Sequence, residues 1–172
     1  MPIRNTADFG TKTDYLYENF WEWAHRDIDK NALFSEFINA GIKAVRYIWP
    51  VGDCLKKFEE VNRGRIPVST IDEHSYHDWN NRCPGPSKGL CAIMDIISQQ
   101  IKRLHIVGMT FFNRFGYSIE AITAPNHAYM KTEKHNTGEH DFKKEIEFFH
   151  NITKSDKRVT TDEVLNSILG GL

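Results

Sequence analysis

The sequence predicts an α/β layered domain with a largely parallel sheet, and three observations support this. Segments with apolar residues at helical spacing alternate with short apolar runs, in the order helix, strand, helix, strand, helix, strand. Glycine and proline fall at the junctions between them. With 172 residues, 40% hydrophobic and 12% aromatic, the chain can bury one proper core, so a single α/β domain over 1–172 is expected.

In chain order, Asp8–Phe20 reads as a polar turn and a short aromatic strand. Phe20, Trp21, Trp23 and Phe34 form an aromatic-rich start that packs as core or as an interface. Asp29–Ala40 places Leu33, Phe34, Phe37 and Ile38 on one helical face and stops at Gly41. Ile42–Trp49 reads as a buried strand ended by Pro50. Cys54–Val61 is a second amphipathic helix, with Leu55, Phe58 and Val61 inward and Asn62–Gly64 as its stop, and Ile66–Ile71 is a short strand. Asp72–Asn81 is polar and aromatic. Its His74 and His77 stand three apart, but no third ligand completes a metal-site pattern, so no metal is expected.

The charge balance, 22 basic against 23 acidic residues, creates no global field toward nucleic acid or an anionic membrane. The longest apolar run, around Leu104–Phe112, is too short to span a bilayer, and Met1-Pro-Ile-Arg is not a secretory start. A soluble, cytoplasmic protein is expected. Three cysteines, Cys54, Cys83 and Cys91, lack any Cys-x-x-Cys spacing and read as reduced thiols.

The densest signal is Arg82–Met109. Pro84, Gly85 and Pro86 make a stiff approach, and Ser87 then caps a helix that opens Lys88-Gly89-Leu90. Leu90, Ile93, Met94, Ile97 and Ile101 form its inward face, and Leu104–Met109 follows as an apolar strand. A helix start offers unpaired N–H groups and a positive dipole end, Gly89 admits close approach, and Lys88 adds a charge, so the site suits a phosphate. A Ser-capped amphipathic helix is also ordinary architecture. Pro86-Ser87-Lys88-Gly89-Leu90, the helix, and the strand ending Ile-Val-Gly108-Met109 together resemble the short sialyl motif of the animal-type sialyltransferases. Lys88 stands where a hydroxyl residue is usual in that motif. Gly10–Thr13 is similar to the tail of the long sialyl motif. By that resemblance the chain is expected to begin partway through its fold, lacking an N-terminal nucleotide-binding unit.

The second candidate site is His127–Glu145, a long polar loop leading into a helix marked by Phe142, Ile146 and Phe149. His140 lies just before that helix, where the dipole disfavours imidazolium and a neutral ring can accept a proton. A solvated loop histidine is the alternative. His140 followed five positions later by Glu145 resembles the very short sialyl motif. Residues five apart lie about 140° round a helix, so Glu145 is expected as a support and not a proton partner. His127 with Tyr129 is similar to the third motif, with Ala128 replacing its aromatic neighbour. Beyond Asn151, Thr161 is expected to cap a last helix carrying Val164, Leu165, Ile168 and Leu169, which docks on the domain or on a second copy.

The resemblance implies a three-layer Rossmann-like domain like the C-terminal part of a sialyltransferase. It implies transfer of sialic acid from CMP-sialic acid to the hydroxyl of a glycan acceptor, without a metal or other cofactor. Ser87, Lys88, Gly89 and Gly108 would contact the donor phosphate, His127 would assist its departure, and His140 would be the base. No nucleic-acid or membrane partner is implied; a homodimer or a partner supplying the missing unit is. The rival readings are a non-catalytic α/β module that binds a partner, and a nucleotide-binding regulatory protein that keeps the helix-start site without needing His140.

Overall fold

The computed structural model describes residues 14–25, 27, 29–50, 52–109 and 141–171. It is a mixed α/β protein with short, wholly parallel sheets. The chain divides into two compact units, Met1–Asp78 and Trp79–Leu172.

In the first unit, β1 (Tyr15–Glu18), α1 (Trp21–His25), α2 (Lys30–Asn39), β2 (Ala44–Tyr47), α3 (Cys54–Asn62) and β3 (Val68–Thr70) follow one another, and the strands pair in the order β1-β2-β3. The division between the units falls within α4 (Glu73–Arg82). Parallel neighbours require crossovers, and the helices between the strands supply them. Register places Leu16 beside Val45 and Val45 beside Val68, so these three share one face, with Val45 buried in the hydrophobic core and Leu16 and Val68 packed against it. The other face carries Tyr17, Arg46 and Ser69, none of which is buried.

Aromatic rings make this core. Phe58 is fully buried, stacks on Phe20 at 4.1 Å and meets Trp23 edge-on at 5.2 Å. Phe20 holds a left-handed φ of 54°, a strained conformation for a bulky residue. Ring packing on Phe58 and Tyr47 opposes that strain, and the N–H groups of Asn19 and Phe20 both donate to Glu18 Oε1. Trp21, by contrast, remains 45% exposed. Asp29 caps α2 by accepting from the N–H groups of Asn31 and Ala32, each at 3.0 Å, and Gly41, at φ 71°, follows the helix as predicted. Buried Asn62 closes the turn into β3 by pairing both ways with the Ile66 backbone at 2.8 Å.

The second unit contains α5 (Lys88–Ser98), β4 (Leu104–Ile106), α6 (Phe142–Ser155), β5 (Val159–Thr161) and α7 (Glu163–Leu169), with β4 parallel to β5. Leu104, Ile106 and Val159 face the core formed with Leu90, Ile93, Phe149, Ile152, Leu165 and Leu169. His105 and Thr160, on the opposite face, are exposed. Arg158 ties the turn before β5 to the end of α5, pairing with Asp156 at 2.6 Å and donating to the carbonyls of Ile97 and Gln99.

Several boundaries differ from expectation. Ile101 lies beyond α5, whose last residue is Ser98. Asp162, not Thr161, caps the last helix, because its carboxylate reaches the Leu165 N–H at 2.8 Å while Thr161 closes β5. The Asp72–Asn81 stretch forms α4, with only Trp79 buried.

Candidate functional site

One bend at Cys83–Gly85, with Pro84 in it, delivers the chain to α5 with Pro86 buried and Ser87 extended, at φ −62° and ψ 159°. Ser87 Oγ accepts from the Leu90 N–H at 3.4 Å, the cap expected from the sequence. The same residue also donates twice. Its N–H reaches Glu145 Oε1 at 2.9 Å and its Oγ–H reaches Glu145 Oε2 at 2.6 Å, across 58 positions of sequence. Glu145 is fully buried in the first turn of α6. A carboxylate taken from water must find donors, and hydrogen bonds to a charged group contribute about 1.5–3 kcal/mol each. The two bonds therefore pin the start of α5 to the start of α6. In the structure Glu145 supports Ser87; the support expected of it beside His140 falls outside the described residues.

Two thiols lie close to that carboxylate. Cys83 and Cys91 are both buried, and their thiols are pushed up to about 11 and about 12, first by burial and then by the charge of Glu145. Both remain protonated at neutral pH and are not nucleophiles. Cys91 Sγ instead donates weakly to the Pro86 carbonyl at 3.7 Å. At the head of α6, Asp141 caps the helix through the Lys144 N–H at 3.1 Å, which, with the Lys144 side chain, holds its carboxyl below the usual range.

Lys88 and Gly89 face outward at the start of α5. A Cβ added to Gly89 would stand 3.3 Å from Met109 Cε, so the methionine after β4 lies against this glycine. The strand end and the helix start of the sequence motif are thus neighbours. Gly108, at φ 71°, makes the turn that puts Met109 there, and its N–H donates to Asp162 Oδ2 at 2.9 Å. Its one backbone donor is therefore committed within the chain. The Gly108 and Leu165 N–H groups hold the Asp162 carboxyl below its usual range.

The structure thus brings Ser87, Lys88, Gly89 and Gly108 to one locality, joined by Glu145 and Met109. His127 and His140 lie outside the described residues. His77, on α4, pairs with Glu73 at 3.5 Å, and among the described residues no cluster of three His, Cys, Asp or Glu could hold a metal. Among those residues, too, no helix is long and apolar enough to cross a membrane. Asp162 is the site residue that sequence reasoning missed. Its signal was an acidic residue directly before an apolar helix, one position after the threonine expected to cap it. No protein-family model, curated protein or solved structure matches the chain.

Proposed function

We propose that the chain is a glycosyltransferase-like protein resembling the sialyltransferases, built on a Rossmann-like fold and transferring sialic acid from CMP-sialic acid to an acceptor hydroxyl. One observation carries the reading. Ser87 and Glu145, drawn from the two sequence patterns that bear the resemblance, meet side chain to side chain although 58 positions separate them.

In this reading the donor phosphate approaches Lys88 and the Gly89 backbone, because the N–H and hydroxyl proton of Ser87 are already held by Glu145. Gly108 shapes the approach through its turn. The acceptor oxygen attacks the anomeric carbon as the bond to phosphate breaks, CMP leaves with the bonding pair, His127 assists that departure, and His140 takes the hydroxyl proton. A second reading, a non-catalytic α/β module, is favoured by one specific feature: a buried carboxylate already sits at the helix start where an external anion would bind.

Titration calorimetry with CMP separates the two. The transferase reading expects binding that Lys88→Glu weakens several-fold by placing a negative charge beside the phosphate. Absence of CMP binding at millimolar concentration overturns it. An assay of CMP release from CMP-sialic acid with a sugar acceptor then tests the base, and His140→Ala should lower the rate by about 10²–10⁴.

A further inference from the structure

We propose that Asp162 is a positioning residue for the helix-start site, holding Met109 against Gly89 through the turn at Gly108; its relevance to a nucleotide donor rests on the reading above. Asp162 sits where β5 gives way to α7, and its own N–H donates to the Ile106 carbonyl at 3.1 Å, which ties it to the end of β4. Its two carboxylate oxygens do different things. Oδ1 accepts the Leu165 N–H at 2.8 Å and caps α7, while Oδ2 accepts the Gly108 N–H at 2.9 Å.

Capping alone does not require the second bond. Serine, threonine or asparagine would cap α7 as well. A side chain with two acceptor oxygens at this reach can cap the helix with one and hold the amide of a residue 54 positions away with the other. That amide belongs to a left-handed glycine, a conformation that is cheap for glycine and therefore easily changed unless something fixes it. Nothing stands within 4 Å of where a Gly108 side chain would begin, so packing on that side does not fix it. The bond to Asp162 does. The next residue, Met109, then lies 3.3 Å from the site of a Gly89 Cβ and forms an apolar wall beside the exposed start of α5. Met109 also packs against the core of the second unit, but a flexible thioether can follow small changes in backbone direction, so the turn behind it directs where on that core it lies. The consequence is a relay from α7 to α5: Asp162 sets Gly108, Gly108 aims Met109, and Met109 limits what reaches Gly89.

Asp162→Ser separates the two tasks, since serine keeps the cap but is too short to reach Gly108. NMR on the full chain reads the outcome. The wild type should show a contact between the Met109 methyl and the Gly89 α-protons, together with a protected Gly108 amide. In Asp162→Ser the contact should disappear and the amide should exchange at least tenfold faster, with helix content by circular dichroism unchanged. Retention of both signals in the variant overturns the proposal. If Asp162→Ser does not fold, Asp162→Asn serves: it keeps length and cap but can turn an NH₂ toward the Gly108 N–H, and it should show the same loss. Calorimetry with CMP adds the functional arm, where Asp162→Ser and Met109→Ala should both weaken binding several-fold. Unchanged CMP affinity in both variants overturns the role in the donor site. If the wild type does not bind CMP, the transferase reading fails, while the methyl contact still decides whether Asp162 positions Met109.

Discussion

The two units bury opposite kinds of core. The first packs Phe20, Trp23, Phe34, Phe37, Tyr47 and Phe58 ring on ring, and its buried polar residue, Asn62, is neutral and bonded to its own turn. The second packs mainly aliphatic chains around the ring of Phe149, and it buries two acidic side chains, Asp95 and Glu145. Ring stacking depends on shape and tolerates changes of pH or ionic conditions. A buried carboxylate depends on every donor aimed at it. The first unit is therefore held by ring packing, while the second adds to its apolar core a polar pairing at a candidate site.

The hardest blow to the first unit is Phe58→Ala, which removes the ring at the centre of the cluster. It should lower stability by about 3–5 kcal/mol in urea denaturation. A much smaller loss would mean that the aromatic cluster can close around the gap. In the second unit, Glu145→Ala leaves the Ser87 N–H and hydroxyl without their acceptor and should cost about 1–3 kcal/mol. Glu145→Gln keeps one acceptor oxygen and should cost less; equal losses would show that cavity formation outweighs the hydrogen bonds. Asp29→Ala removes the cap of α2 and should cost about 1 kcal/mol, a peripheral polar effect in a unit whose centre is apolar.

The smallest effect concerns pH. Hydrogen bonds from Arg158 hold the Asp156 carboxyl down to about 2. A depressed carboxyl contributes stability that is complete above its unfolded value, near 4, and is lost as pH falls through its folded value. The urea midpoint of the wild type should fall between about pH 4 and pH 2, and Asp156→Asn should flatten that fall. Asp141 and Asp162 are shifted in the same direction, so the difference between the two proteins, and not the wild-type slope alone, reports on Asp156.

Much of the fold was legible because long amphipathic stretches declare themselves. The faces of α2, α3, α5 and α6 follow from apolar spacing, and the Ser87 cap follows from the prolines and glycine before it. What was not legible lacked a pattern of its own. β5 is three residues long, too short to show alternation, and exists because β4 offers it a ladder. α4 buries only Trp79, so no apolar stripe announces it. The site divides the same way. Ser87, Lys88 and Gly89 are adjacent in sequence and readable as a helix start. The partnership of Ser87 with Glu145 and of Gly108 with Asp162 is set by tertiary contact, and nothing local in either stretch names its partner.

The span between Ser87 and Glu145 has a further consequence, in time. Chains emerge from the ribosome from the N-terminus at about 5–20 residues per second, so roughly 3–12 s separate the synthesis of the two residues. For most of that interval the described strands of the first unit and all of α5 have been made, while α6 and β5, which share its core, have not. Its apolar face, Leu90 and Ile93 included, then has no native cover. Nascent α5 is consequently open to chaperone capture or to pairing with another chain until α6 and β5 are complete.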